Sequence, residues 1–155
     1  MKLFISILCC LCLLASTTLV AQKATRTATV NWKPPKTNTV LGASKDTSYV
    51  ILEEGKQLLG LPLRVLDDKK NSFPISSYQF LYRRKIVTED EQTGKTSASS
   101  SIVAQTFRVT PLPEIWVKTL NEQLQSGEEL YFFDVVAKDA QGKLFFAPNL
   151  LIKIK

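Results

Sequence analysis

The chain has no histidine, and its three cysteines, Cys9, Cys10 and Cys12, all lie within the first twelve of 155 residues. Without histidine there is no Ser-His-Asp or Cys-His arrangement and no histidine-based zinc site. Long apolar runs are also scarce. The one extended run, Leu3 to Leu14, follows Lys2 and precedes the small residue Ala21, the pattern of a secretory signal over residues 1–21 that ends before Gln22. A membrane-spanning helix would need about 20 apolar residues, and Ala15 to Thr18 interrupt the run. Cleavage would remove every cysteine, excluding thiolate chemistry and internal disulfides from the mature chain. Its stability then has to come from burial and strand pairing. The cysteines sit too early to be acylated first residues, since cutting before them leaves less than the roughly 7–15 apolar residues a signal requires. The expected location is periplasmic or secreted.

The formal net charge of +6 falls by one with the loss of Lys2. This modest excess reads as a solvated surface rather than a phosphate-binding stripe, so no nucleic acid is expected. Glu89, Asp90 and Glu91 are consecutive, without the spaced oxygen ligands and defining glycine of a calcium loop. Gly94-Lys95-Thr96 resembles the end of a phosphate-binding loop, but the earlier glycine is missing because position 89 is Glu. No metal or cofactor is expected. Paired-carboxylate chemistry survives on composition alone, through Glu53, Glu54, Asp67, Asp68, Glu128 and Glu129.

What is present is a series of short apolar strands. Residues 22–46 read as an edge strand, Thr27 to Trp32, followed by an extended linker, because Pro34 and Pro35 cannot donate to a sheet. A domain is expected over 47–155. Tyr49 to Leu52 and Leu63 to Leu66 suit strands. From Tyr78 to Ile86 the alternation is clear, with Tyr78, Phe80, Tyr82 and Ile86 on one face and Gln79, Arg83 and Lys85 on the other. A polar hairpin loop, Thr88 to Ser99, leads to a further strand, Ile102 to Val109. Thr110 and the prolines at 111 and 113 predict a helix start. Leu112, Ile115, Trp116, Leu120 and Leu124 recur at helical spacing, with a stop at Ser126-Gly127 and Trp116 as a core anchor.

The closing segment predicts a hairpin. Tyr131, Phe133, Val135 and Ala137 share a face, Asp139-Ala140-Gln141-Gly142 forms a type I turn, and Leu150, Ile152 and Ile154 point inward. Asp134, within the strand, must pair or reach solvent. The fold class is mainly β, a sandwich with one short helix near residues 111–126. If Tyr78, Phe80, Tyr82, Ile152 and Ile154 face inward, then Gln79, Arg83, Lys85, Lys153 and Lys155 face outward. These five are the candidate partner-binding residues, a basic face suited to an acidic partner.

The order of elements from Leu63 onward, with Ser126-Gly127-Glu128-Glu129-Leu130-Tyr131-Phe132-Phe133-Asp134-Val135-Val136-Ala137, the Asp139 to Gly142 turn and the apolar terminus at Lys155, resembles the C-terminal domain of GldM. That protein belongs to gliding motility and type IX secretion. The resemblance covers roughly residues 63–155 and implies an immunoglobulin-like antiparallel sandwich that engages an envelope protein partner through protein contacts. It carries neither motor coupling nor a catalytic residue. The expectation is a non-catalytic exported protein-binding module of the cell envelope. The alternative is a small-ligand or carbohydrate binder, or a carbohydrate-active enzyme, on the same sandwich. The C-terminal sorting domains of type IX cargo also end in lysine-bearing apolar strands, but their glycine-aromatic pattern before the last strand is absent.

Overall fold

The computed structural model describes residues 32–89 and 91–155, and its compact unit there runs from Lys33 to Lys155. The expected signal over 1–21 and the strand residues Thr27 to Asn31 lie outside the described residues. Trp32 belongs to no element. The rest of the expected linker is corrected: Thr37–Leu41 forms β1 and Ser44–Lys45 forms β2. In β1 the apolar signal is weak because Thr37 and Thr39, not large hydrophobes, share the buried face with Leu41. Gly42, at φ 60°, supplies the tight turn between the two strands.

Two sheets make up a mainly β sandwich. The smaller has the order β2-β1-β4-β5, with β4 at Leu63–Asp67 and β5 at Ser72–Phe73. The larger contains β3 (Thr47–Val50), β6 (Ile75–Glu89), β7 (Thr96–Phe107), β8 (Glu129–Lys138), β9 (Leu144–Ala147) and β10 (Leu150–Ile154). Its order is β3-β10-β8-β6-β7, with β9 also on β8. The pairing is antiparallel, as expected, apart from one pair among the described strands, β3 running parallel to β10. Asp46, in the left-handed region at φ 54°, lies where the chain passes from β2 in one sheet to β3 in the other. Leu41 and Leu63 of the smaller sheet meet Tyr78 and Phe132 of the larger.

There are two helices among the described residues, not one. Leu52–Leu59 forms α1, so the strand expected over Tyr49 to Leu52 ends at Val50. Glu53 and Glu54 in its first turn favour the helix dipole. Gly55 is buried, and an added Cβ would lie 2.6 Å from Ile154 Cδ1, so a side chain there would have to displace that methyl group between helix and sheet. The second helix, α2, covers Glu114–Gln123 rather than 111–126. Thr110 does not cap it. Its Oγ1 accepts a hydrogen bond from the Leu63 N–H at 2.6 Å and so ties the approach to α2 to the start of β4.

The core is built on the inward alternation of β6. Tyr78, Phe80 and Tyr82 are buried together with Phe107, Leu130, Phe132, Leu150, Ile152 and Ile154. Phe80 and Phe132 ring centroids are 5.0 Å apart, and Trp116 meets Phe80 and Phe107 edge-on at 5.8 and 5.5 Å. Each fully buried side chain of this size contributes about 1.5–3 kcal/mol. Trp116 is only half-buried and Ile115 is 68% exposed, so the expected helical stripe is narrower than its spacing suggests. The Tyr78 hydroxyl donates to the Val109 carbonyl, and burial pushes its pKa up to about 12.

Two backbone features redirect the closing strands. The register passes from Gln79↔Phe133 to Ser77↔Val136, leaving an extra residue on β8, where Asp134 has φ 47°. Aspartate enters this region more readily than most side chains. The bulge inverts the alternation: Leu130, Phe132, Val135 and Ala137 are buried, whereas Tyr131 and Phe133 turn outward. The expected shared face of Tyr131, Phe133, Val135 and Ala137 is thereby corrected. The last strand is interrupted at Pro148-Asn149, although β9 and β10 keep one register on β8, from Val135↔Ala147 to Phe132↔Leu150. Proline has no N–H for the ladder, and the gap falls opposite the bulge. The turn before β9 is as expected: Asp139 accepts the Gly142 N–H at its carbonyl and the Gln141 and Lys143 N–H groups at Oδ1.

Candidate functional site

The outward face of the larger sheet carries the candidate residues, in rows dictated by strand register. One row reads Tyr49, Lys153, Glu129, Arg83, Ile102 across β3, β10, β8, β6 and β7. Glu129 accepts a hydrogen bond from Arg83 at 2.9 Å on one oxygen and pairs with Lys153 at 3.0 Å on the other. The hydrogen bond to Glu129, then its charge, raises the Lys153 pKa. Such exposed pairs stabilise by about 0–1 kcal/mol, so their effect here is to orient two cations on one carboxylate rather than to hold the sheet together.

The adjacent row is Thr47, Leu151, Tyr131, Leu81, Ala104. Tyr131 stacks on Phe133 at 5.1 Å between centroids and 10° between planes, and the Tyr131 hydroxyl accepts from Asn149 Nδ2 at 2.8 Å. Leu81, Tyr131, Phe133 and Leu151 are all half-buried. They form an apolar strip beside the charged row. A shallow depression of about 430 Å³ lies over both, with Asp46 and Asn149 at its polar margin.

The five sequence-derived candidates are thus distributed differently from a basic stripe. Arg83 and Lys153 converge on Glu129. Gln79 donates from Nε2 to Asp134 Oδ2 at 2.8 Å, which also gives the carboxylate of the bulge its partner. Lys155 places Nζ 4.9 Å from the centroid of the Tyr49 ring. Lys85 is exposed near Gly127, and its backbone N–H donates to Glu128 Oε1 at 3.3 Å. Three of the five, Gln79, Arg83 and Lys153, are in direct contact with acids of the same face, Asp134 and Glu129, so cations and carboxylates alternate there.

Sequence reasoning missed Glu129, Leu81, Tyr131, Phe133 and Leu151 as a group. Leu81 and Leu151 were legible by parity, since each alternates with an inward residue. Tyr131 and Phe133 were not, because nothing in the apolar run marks the bulge except Asp134 itself.

The acids available for carboxylate chemistry fall in separate places. Glu53 and Glu54 lie in the first turn of α1, and Glu129 is committed to Arg83 and Lys153. Asp67 closes the β4–β5 turn, where the Asn71 side-chain amide lowers its pKa below the ordinary 3.8. Glu128 is 1% exposed and accepts hydrogen bonds from the Tyr82 hydroxyl and from the Gln125 and Lys85 N–H groups. It fastens the α2–β8 connection to β6, while burial, followed by this contact, raises the Tyr82 pKa. Among the described residues no helix is long and apolar enough to cross a membrane. No known family model matches the chain, and no curated protein matches it significantly.

Proposed function

We propose that the chain is a non-catalytic protein-binding module, exported to the cell envelope, that docks through the outward face of its larger sheet. The observation that carries this reading is the apolar strip of Leu81, Tyr131, Phe133 and Leu151 bordered by the Arg83–Glu129–Lys153 row. An apolar centre with aromatic and arginine contacts and a polar rim is the usual anatomy of a protein interface. Arg83, Lys85, Lys153 and Lys155 outnumber the acids beside them, which favours an acidic envelope protein as partner. The N-terminal signal pattern supports a periplasmic or secreted location. The resemblance to the GldM C-terminal domain supports an immunoglobulin-like variant of the sandwich and a place near gliding or type IX secretion machinery.

The test is chemical crosslinking in envelope preparations with the wild type and a Leu81→Ser, Tyr131→Ser double variant. A specific crosslinked product should be lost in the variant while its circular dichroism is unchanged, and should weaken in the wild type as salt rises. An undiminished product with the variant overturns the reading. The depression beside Tyr131, with Asp46, Glu129 and Asn149 as polar groups, favours a second reading as a small-ligand or carbohydrate site. Saturable calorimetric binding of a soluble oligosaccharide that the same double variant abolishes would select it.

A further inference from the structure

A different surface carries an inference beyond the sheet face. The edge of the larger sheet is β7, which pairs only with β6 among the described residues. Its twelve residues pair with β6 without a break, from Glu89↔Thr96 to Tyr78↔Phe107. The segment TSASSSIVAQTF contains no charged residue and no proline. Protein edge strands are usually guarded by charge, proline, a bulge or a cover, because their open N–H and C=O groups otherwise recruit another strand. None of those devices occurs on β7 among the described residues, and all but Ser101 and Phe107 are exposed.

Beside this edge, on the inner side of the sheet, the chain leaves a groove of about 300 Å³ between β7 and α2. Val103 and Ser101 form its β7 wall, Ile115 and Trp116 its helix wall, with Leu120 also lining it and Arg84 at its margin. Val103 is 47% exposed and Ile115 68%. Register sets Val103 opposite Tyr82 and Ser101 opposite Arg84. Arg84 has no ion-pair partner among the described residues. The small Ser101 is all that stands between its row and the open edge.

We propose that β7 binds an extended peptide as an added strand, which places an apolar side chain in the groove beside Val103 and an acidic side chain beside Ser101, within reach of Arg84. A backbone strand is the occupant that satisfies both halves of the site. Its amides complete the β7 ladder, and its alternate side chains enter the groove, as in other cases of strand addition. The acid would lie two strand spacings from β6, about 10 Å, a gap that an arginine and a carboxylate side chain bridge together. A second copy of β7 fits less well. The strand brings no acid to Arg84, and a two-fold pairing would bring the two arginines toward each other.

The experiment uses the exported protein and fluorescein-labelled synthetic peptides of about eight residues. These are threonine-rich strands with leucine and, two residues away on the same face, aspartate or lysine. Anisotropy should rise with the aspartate peptide, and the lysine peptide should bind at least about tenfold more weakly. Arg84→Glu should invert that preference, and Val103→Lys should abolish binding with the fold intact by circular dichroism. N-methylation of the peptide amides that face β7 should eliminate binding, whereas N-methylation of the opposite edge should not. Trp116 emission should shift on binding.

Equal sensitivity to both N-methylation patterns, an unchanged preference in Arg84→Glu, or no binding at millimolar peptide overturns the proposal. So does a concentration-dependent dimer in sedimentation that Val103→Lys disperses when no peptide binds, because the occupant is then a second copy. The Leu81→Ser, Tyr131→Ser variant should keep peptide binding, so this proposal and the sheet-face reading can fail separately.

Discussion

The two ends of the β6–β7 hairpin share one unbroken register yet occupy opposite environments. At the base, Tyr78, Phe80, Tyr82 and Phe107 are at most 5% exposed. Toward the tip, Val87 is 63% exposed and Ala98 opposite it is exposed too. Local pairing is therefore the same at both ends. The difference lies in what else reaches β6: β8 pairs with it only as far as Arg83↔Glu129, and α2 covers the inner face near Phe80 through Trp116. Beyond that point the hairpin is a two-stranded ribbon, a structure that is marginal by itself in water. Its stability depends on continuation from the buried base, and its exposure leaves the β7 edge accessible.

The largest expected effect tests the base. Phe80→Ala should cost about 3–5 kcal/mol, the range for truncating a buried aromatic, read from denaturant unfolding. A loss no larger than that of a tip substitution would erase the contrast.

Next comes the joint between the two ends, where Glu128 receives the Tyr82 hydroxyl and the Lys85 N–H. Glu128→Ala leaves buried donors without an acceptor and should cost about 2–4 kcal/mol, and it should also accelerate amide hydrogen exchange in residues 84–89 relative to 78–82. Uniform acceleration along β6 would show that Glu128 supports the whole domain rather than the joint. The smallest effect is expected at the tip. Val87→Thr should change unfolding stability by no more than about 0.5 kcal/mol, whereas a destabilisation comparable to Phe80→Ala would reveal a cover over the tip.

The same contrast explains what was legible. The alternation from Tyr78 to Ile86 was clear because large aromatics alternate with polar residues, and it identified the inner face of β6. It did not reveal that β6 and β7 continue as strands into polar sequence. Thr88 to Ser99 was expected as loop, but only positions 90–95 lie between the paired strands. Serine and threonine pair as strand residues there because the hairpin extends an established ladder. The α1 helix was hidden for a related reason: Gly55 weakens a helix locally, yet here it permits contact with Ile154. Candidate site residues were legible by parity wherever the strand was regular, as at Arg83 and Lys153. Their neighbours Tyr131 and Phe133 were not, since one residue at Asp134 reversed the phase.

By itself the sequence determined the mainly β class, the inward sets of β6 and β10 and the Asp139 to Gly142 turn, because period-two burial and local turn chemistry act between near neighbours. Only the tertiary structure decided that β3 lies parallel to β10, that Glu129 sits between Arg83 and Lys153, that the Asp134 bulge turns two aromatics outward, and that β7 is left as an open edge beside α2. Those outcomes depend on which strands meet across the sheet and in what register, and that choice is made by the packing of residues far apart in the chain.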